Sequence, residues 1–425
     1  MSDNLYVVFD NEIVGLITRQ NNGRLRFDYD NDYRQKKSST PLSVSMPLQV
    51  RSHPDSVIAP WLSGLLPDND AVIERWARYY QVTASSTFSL LSTPIGHDVA
   101  GAFCFVTPDS LDEVRYRKGQ VKWLSYDEMA MQLSELKADA TSWLGRYFQG
   151  QFSLAGVQAK TALLFADGKW GVPTGSIPTT HILKPAVSGL DGHEVNEHLC
   201  LDAARRAGLL VSQSQIMRFG DELALVIERY DRRFVDGDIV RIHQEDLCQA
   251  LSVWPSRKYQ SDGGPGPKDI VNLFRQVMST KSADDAIERF VGALAWNWII
   301  GGADGHAKNY SLVLSQGDVR LAPPYDIASA LPYGEHERKL RLAMKIGGEY
   351  LVAPMRNLWP KVADDLNLDQ ELVIELVTNL VRRAPEAMAD AARAIGDLGL
   401  YHPLAPRLVD LVGERARRCL RIIGN

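Results

Sequence analysis

The sequence predicts an α+β chain of two unlike parts, β-rich to about residue 235 and mainly helical beyond it. Three observations carry this. Short runs of alternating apolar and polar residues, bounded by Gly, Asn, Asp and Pro, crowd the first part. Apolar residues at three-to-four spacing dominate the second. One helical pattern, "EVNEHLCLDAARRAGL" (194–209), is set among the strands. At 425 residues the chain exceeds one typical core, so three units are expected, at 1–140, 141–235 and 236–425.

In order, residues 1–50 read as strands: "LYVVFD", "EIVGLITR", "LRFDYD" and "PLSVSMPL" (41–48). Residues 55–92 turn helical, with an interruption at Pro67. "GAFCFVTP" (101–108) is a further strand, and "SYDEMAMQLSELKA" (125–138) a helix that ends the first unit. From 150 the pattern is strand, turn, strand in "FSLAGVQAKTALLFADGKWGVP", followed by the strand "THILKPA" (180–186). After the helix at 194–209 come strands at "SQIMRF" and "LALVIERY" (223–230). The helical part comprises "HQEDLCQAL", "KDIVNLFRQVMS", "ADDAIERFVGALAWNWII" and amphipathic helices beyond 358.

Composition narrows the class. Hydrophobic residues at 45% and charged residues at 23% are ordinary for a folded chain. A net charge of −5 argues against a broad grip on nucleic acid. Cys104, Cys200, Cys248 and Cys419 lack metal or disulfide spacing, which suggests a reducing compartment. "MSDNLYVVFDNEIVGLITR" has neither the basic start nor the apolar core of a signal peptide. The apolar stretch at 290–303 is short for a bilayer and contains Asn297. A cytoplasmic protein is expected.

The densest polar cluster is "GGADGHAKNYSL" (301–312), which places Asp304, His306, Lys308 and Asn309 on a turn between an apolar helix and a strand. A strand-rich part holding one strand lysine and one helix, followed by a helical part, is the plan of a two-lobed phosphotransferase. Phosphoryl transfer needs a phosphate cradle, a cation, a held metal and a base. Lys184 in "THILKPA" suits the cation, with Glu194 or Glu197 on the next helix to hold it. Taken alone, it reads better as an outward-pointing edge lysine. The turn "SLAGVQAKT" (153–161) offers the backbone of Ala155, Gly156, Val157 and Gln158, with Lys160 as a second cation. It matches neither common glycine-rich phosphate motif. Asp304 suits the base, and Asn309 five residues on supplies an oxygen for Mg²⁺. Asp-x₄-Asn is the spacing in protein-kinase catalytic loops. Lys308 would neutralise charge on the transferring group, and Asp326 in "LAPPYDIASAL" suits a second metal ligand. Singly, Asn309 reads as an Asx-turn and Asp326 as a helix cap. In this order and spacing, the chemical reading prevails. His306 has no argued role. The peptide groups of Glu228, Arg229 and Tyr230, where a buried strand runs into charge, are the expected adenine hinge.

With these residues laid out, the chain resembles the HipA family of bacterial toxin kinases over nearly its full length. The resemblance rests on "FSLAGVQAKTALL", "TTHILKP", "NEHLCL", "ERYDRR", "HQEDLCQAL", "KYQSDGGPG", "GGADGHAKNYSL" and "PPYDIASAL", with "LSVSMPL" and "LLPDN" near the N-terminus. It implies a protein-kinase-like fold and a serine/threonine protein kinase using ATP and Mg²⁺. A helix-turn-helix, HipB-like antitoxin is implied as partner, with operator DNA reached mainly through it. Carried over residue by residue, the resemblance implies a base at Asp304, metal ligands at Asn309 and Asp326, and nucleotide contacts at Lys184 and at 155–160, Ala159 included. His306, Lys308, Tyr325 and the 228–230 hinge complete the implied site, and Ser153 matches the family's autophosphorylated serine. The loop "AGVQAK" departs from the family in its apolar Val157 and Ala159. A translation factor such as an aminoacyl-tRNA synthetase is the implied target, with growth arrest as outcome. Two other readings are a kinase-shaped co-repressor that clamps its antitoxin on DNA with little catalysis, and a small-molecule phosphotransferase.

Overall fold

The computed structural model describes residues 3–116, 119–145, 150–334 and 339–423. Five antiparallel strands, β1 (Asn4–Phe9), β2 (Glu12–Arg19), β3 (Leu25–Tyr29), β4 (Ser52–Pro54) and β5 (Cys104–Val106), form the first sheet in the order β4-β3-β2-β1-β5. The β1–β2 hairpin closes on Asp10 and Asn11, both at positive φ, the backbone that a tight hairpin turn requires. Phe27, Trp61, Trp76 and Phe105 lie in the core beneath this sheet, together with residues from the helices Asp55–Ser63 and Asp70–Tyr80.

The segment 41–48 is not a strand. Only an isolated bridge joins Ser43 and Met46. Side chains satisfy its backbone in place of a ladder: Tyr29 Oη takes the Leu42 N–H and donates to the Met46 carbonyl, and Tyr33 Oη donates to Thr40.

A second sheet runs in the order β10-β11-β9-β7-β8-β6. Its strands are β6 (Val121–Leu124), β7 (Thr161–Ala166), β8 (Lys169–Pro173), β9 (His181–Pro185), β10 (Ser214–Phe219) and β11 (Glu222–Glu228). The expected boundary at residue 140 cuts through this unit. β6 pairs with β8, and Met129 and Leu133 of the helix Tyr126–Ala138 pack on Leu163, Trp170 and Phe219. Trp143, Phe152 and Leu154 instead join the first core. The strand expected ahead of the 153–161 turn is likewise a loop, tied only by a Val99–Ser153 bridge. Phe152, Ser153 and Leu154 are buried in succession, so there is no two-sided alternation for a sheet to use.

The helix His193–Arg206 crosses from this sheet to the helical part, where its partners include Gln370–Asp397 and Leu404–Ile423. A hairpin, β12 (Arg232–Val235) and β13 (Asp238–Arg241), precedes a three-stranded sheet of β14 (His243–Asp246), β15 (Ser311–Ser315) and β16 (Asp318–Leu321). β14 falls where the sequence suggests helix. Its four residues are all buried against β15, and Asp246 then caps the short helix Leu247–Ala250 by accepting the Gln249 N–H. A further hairpin, β17 (Arg341–Ile346) and β18 (Glu349–Leu351), was not anticipated. The helix Thr280–Ile300, packed on Pro267–Val277, leads directly into the 301–312 turn. Buried Arg415 donates to the Trp298 and Ile299 carbonyls, satisfying the last turn of Thr280–Ile300 just ahead of that turn. Among the described residues no helix is long and apolar enough to cross a membrane.

Candidate active site

The 301–312 turn begins because Gly301, at φ 67°, caps the C-terminus of Thr280–Ile300 in the left-handed conformation. Ala307–Asn309 then form one 3₁₀ turn leading to β15. Lys308 and Asn309 are thereby buried, while Asp304 stays exposed. Asn309 Nδ2 donates to the Asp304 carbonyl at 2.9 Å, which orients the amide. The Tyr259 hydroxyl donates to Asp304 Oδ1 at 2.7 Å, and its ring meets His306 edge-on at 5.0 Å. Among the described residues His306 Nδ1 is buried without a partner, and burial lowers that ring's pKa.

Lys184 points inward from β9, and its ammonium is fully engaged. It donates to Glu197 Oε1 (2.8 Å), Glu197 Oε2 (3.0 Å) and Asp326 Oδ1 (2.7 Å). The partner on the helix is therefore Glu197, not Glu194. Burial disfavours the ammonium, but the Asp326 and Glu197 carboxylates outweigh it and raise its pKa. Burial also pushes Glu197 up to about 7 against the pull of Lys184, whereas Lys184 overcomes burial at Asp326 and holds that carboxyl low. Asp326 adopts φ 58°, a conformation costly for a residue with a Cβ and found where a surrounding structure enforces it.

The loop ahead of β7 turns at Gly156, φ 104°, where a Cβ would stand 2.8 Å from Lys160 Nζ. Lys160 donates to the Ala155 carbonyl at 2.9 Å and lies 4.3 Å over the Trp143 ring. Burial, reinforced by Lys184, brings its pKa down to about 7. Ser153 is fully buried, and its hydroxyl donates to the Leu65 carbonyl at 2.8 Å. Gln158 Nε2 is buried without a partner among the described residues, and Val157 is exposed.

Of the three peptides expected at the hinge, two have their N–H groups engaged within the protein. The Arg229 side chain is buried among Asp98, Asp231 and Thr179, so it is unavailable to a ligand. The Arg229 N–H goes to the Thr180 carbonyl and the Glu228 N–H to Gln213. The Tyr230 N–H makes no hydrogen bond among the described residues. The Tyr230 ring stacks on Tyr325 at 6.1 Å, and the Tyr325 hydroxyl bonds the Lys308 carbonyl at 2.7 Å.

All these elements border one cavity of about 620 Å³, with Lys184, Asp304, Asn309 and Asp326 on its wall. Asp68, Lys258 and Tyr259 of that wall carry no assignment from sequence. Asp68, in the turn after Asp55–Ser63, accepts from Lys308 at 2.6 Å and from Lys258 at 2.9 Å. Lys258 and Tyr259 stand in "KYQSDGGPG" and Asp68 in "LLPDN". These motifs carry the family resemblance, but no local spacing gives them a task.

A strand-rich lobe with a lysine–glutamate pair, joined by a hinge to a helical lobe carrying the 301–312 turn, defines the protein-kinase-like class. Family models give the narrower assignment: residues 5–106 match the HipA N-terminal domain and residues 152–388 the HipA-like C-terminal domain. The chain belongs to the HipA family. It is similar to the serine/threonine-protein kinase toxin HipA of Shewanella oneidensis, 30% identical over 399 residues, covering 87% of this chain and 86% of that one. A Sinorhizobium fredii protein named provisionally as a kinase is 33% identical over 416 residues, 97% of each chain. A solved complex of Shewanella oneidensis HipA, HipB and operator DNA superposes with a TM-score of 0.81 at 25% identity, covering 99% of this chain and 97% of that one.

Proposed function

We propose that the protein is a HipA-type toxin: a serine/threonine protein kinase using ATP and Mg²⁺, held in check by a HipB-like antitoxin that binds operator DNA. The observation that carries this reading is the Lys184 ammonium bridging Glu197 and Asp326 in the cavity that Asp304 and Asn309 also line. Those positions supply the cation, the oxygen ligands and the carboxylate that transfer requires.

The residues fit both cofactors. Adenine would take the Tyr230 N–H beside the stacked Tyr230 and Tyr325 rings. The phosphates would lie between the 155–160 backbone, Lys160, Lys184 and Lys308, where the partnerless Gln158 Nε2 and His306 Nδ1 offer further polar atoms. Asn309 commits its amide nitrogen to Asp304 and keeps its oxygen, and Asp326 keeps Oδ2, an oxygen pair suited to Mg²⁺. When bound, the metal would screen charge on the phosphoryl group. Asp304 accepts the proton of the attacking hydroxyl, a place that the Tyr259 phenol holds here. Lys308 neutralises charge as it shifts to the leaving oxygen.

In the same reading the protein substrate belongs to the translation machinery, an aminoacyl-tRNA synthetase for example, and its phosphorylation arrests growth. Ser153 is the autophosphorylation site. Its hydroxyl is buried, so modification requires residues 153–160 to leave their seat, and the added charge then keeps the loop away from nucleotide phosphates. The test is transfer of ³²P from ATP by purified protein. It is expected to need Mg²⁺ and to fall by roughly 10²–10⁴ in Asp304→Asn with the fold retained. Equal transfer by Asp304→Asn would overturn the assignment of the base, and no transfer by the wild type would overturn the kinase reading and leave a binding co-repressor.

A further inference from the structure

The kinase reading uses Lys308 but gives no task to the carboxylate that holds it, and the observations there go further than packing. Asp68 belongs to the N-terminal unit, yet its carboxylate bonds Lys308, 240 residues away, and Lys258, 190 residues away. Lys308 is 2% exposed in its side chain, and Asp68 and Lys258 are each 12% exposed. Burial alone would raise the Asp68 pKa, but the two lysines lower it, so the carboxylate is ionised between them.

The turn carrying Asp68 also seats the phosphate loop. The Asp68 N–H donates to the Gly156 carbonyl at 3.1 Å, and Asn69 Nδ2 reaches the Val157 carbonyl at 3.4 Å. Ser153 Oγ donates to Leu65 at the start of the same turn. Gln249 of the helical part fixes the turn from behind by donating to the Trp61 carbonyl at 2.9 Å. Its side chain occupies the space that a Cβ on Gly64 would need. One six-residue turn therefore touches both the loop that would cradle phosphates and the lysine of the catalytic turn. A salt bridge that only joined two domains would serve equally well away from the cavity. This one lies on its wall.

We propose that Asp68 is a positioning residue for phosphoryl transfer: it aims the Lys308 and Lys258 ammonium groups at the phosphates and ties their position to the seated 153–160 loop. The N-terminal unit is then part of the catalytic apparatus as well as a surface for partners. This rests on the kinase reading above.

The chemistry gives the effect of Asp68→Asn a distinctive sign. Removing the carboxylate leaves two ammonium groups uncompensated, so attraction for nucleotide phosphates is kept or increased. Their direction is lost, and misplacing a charge-stabilising group by about an ångström costs up to roughly 10² in rate. The experiment compares wild type and Asp68→Asn in Mg²⁺-ATP phosphorylation, with kcat expressed per folded molecule from thermal unfolding. The expected result is a kcat at least tenfold lower with a KM for ATP unchanged or lower. A kcat within twofold of wild type, or a KM for ATP that rises, overturns the proposal. Should Asp68→Asn not fold, Asp68→Glu keeps the charge, moves it by one methylene, and is read by the same criteria. Wild-type protein that transfers no phosphate would refute the kinase reading itself, an outcome separate from these.

Discussion

Glu197→Gln isolates the lysine clamp. An ammonium has three donors, and Lys184 uses them on Glu197 Oε1, Glu197 Oε2 and Asp326 Oδ1 at 2.8, 3.0 and 2.7 Å. Glutamine presents one acceptor oxygen, while its amide nitrogen faces the ammonium as a second donor. One charge-assisted bond is lost and the other becomes charge-to-neutral, together about 1.5–3 kcal/mol. If that sum is expressed in the transition state, kcat/KM falls by roughly 10–10². If it is expressed in folding, the melting temperature drops by about 3–12 °C, at roughly 2–4 °C per kcal/mol for domains of this size. Lys184 then leans wholly on Asp326, so the Mg²⁺ concentration giving half-maximal activity rises as well. The assay is phosphorylation across a Mg²⁺ titration, with Glu194→Gln as control. Glu194 is also buried, but it makes no bond to Lys184, and its Oε2 has no partner among the described residues. A Glu197→Gln enzyme within threefold of wild type, or an equal loss in Glu194→Gln, would refute the reasoning.

Two further outcomes are expected. Lys160 has its pKa lowered to about 7 from 10.5, so above pH 7 the folded state releases a proton that the unfolded state keeps. Its contribution to stability therefore rises with pH between about 7 and 10.5, by up to ~1.4 kcal/mol per pH unit, and levels off below. Urea unfolding of wild type against Lys160→Met at pH 7 and pH 9 reads this, and parallel pH dependences would contradict it. Phosphorylation at Ser153 is expected to lower ATP affinity by at least tenfold, because a dianion has no room under the Leu65 carbonyl. Equal affinity of phosphorylated and unmodified protein by calorimetry would count decisively against displacement of the loop.

What could be read from the sequence follows from the range of the interactions involved. The helix Thr280–Ile300 and the turn after it are local: an apolar period, a glycine cap, then clustered polar residues. Lys184 on β9 and the helix that faces it are also legible, because one is a strand period and the other a helical one. The choice between Glu194 and Glu197 is not. Both are buried on the same helix, and only the angle at which that helix meets β9 decides which carboxylate reaches the ammonium. β14 fails for a related reason: "HQED" has no alternation because all four of its residues are buried. Nor is the place of the Arg229 side chain legible, because its partner Asp98 lies 131 residues earlier, in another unit.

The same reasoning explains why Asp68 escapes a local reading. Within "LLPDN" an aspartate after proline and before a helix cap is an ordinary turn residue. Its partners are contributed by segments beginning almost two hundred residues later. A kinase-like pair of lobes already supplies the lysine clamp, the hinge and the catalytic turn, so nothing in that plan calls for a carboxylate from a third unit. Its presence on the cavity wall changes what the third unit is for. If the N-terminal sheet served partners alone, its contacts with the lobes could lie anywhere on their surface. Here the turn that carries Asp68 seats the phosphate loop on one side and two ammonium groups on the other. On that proposal, a force or partner that shifted the N-terminal unit by an ångström would move the loop and Lys308 together, and activity would respond to it.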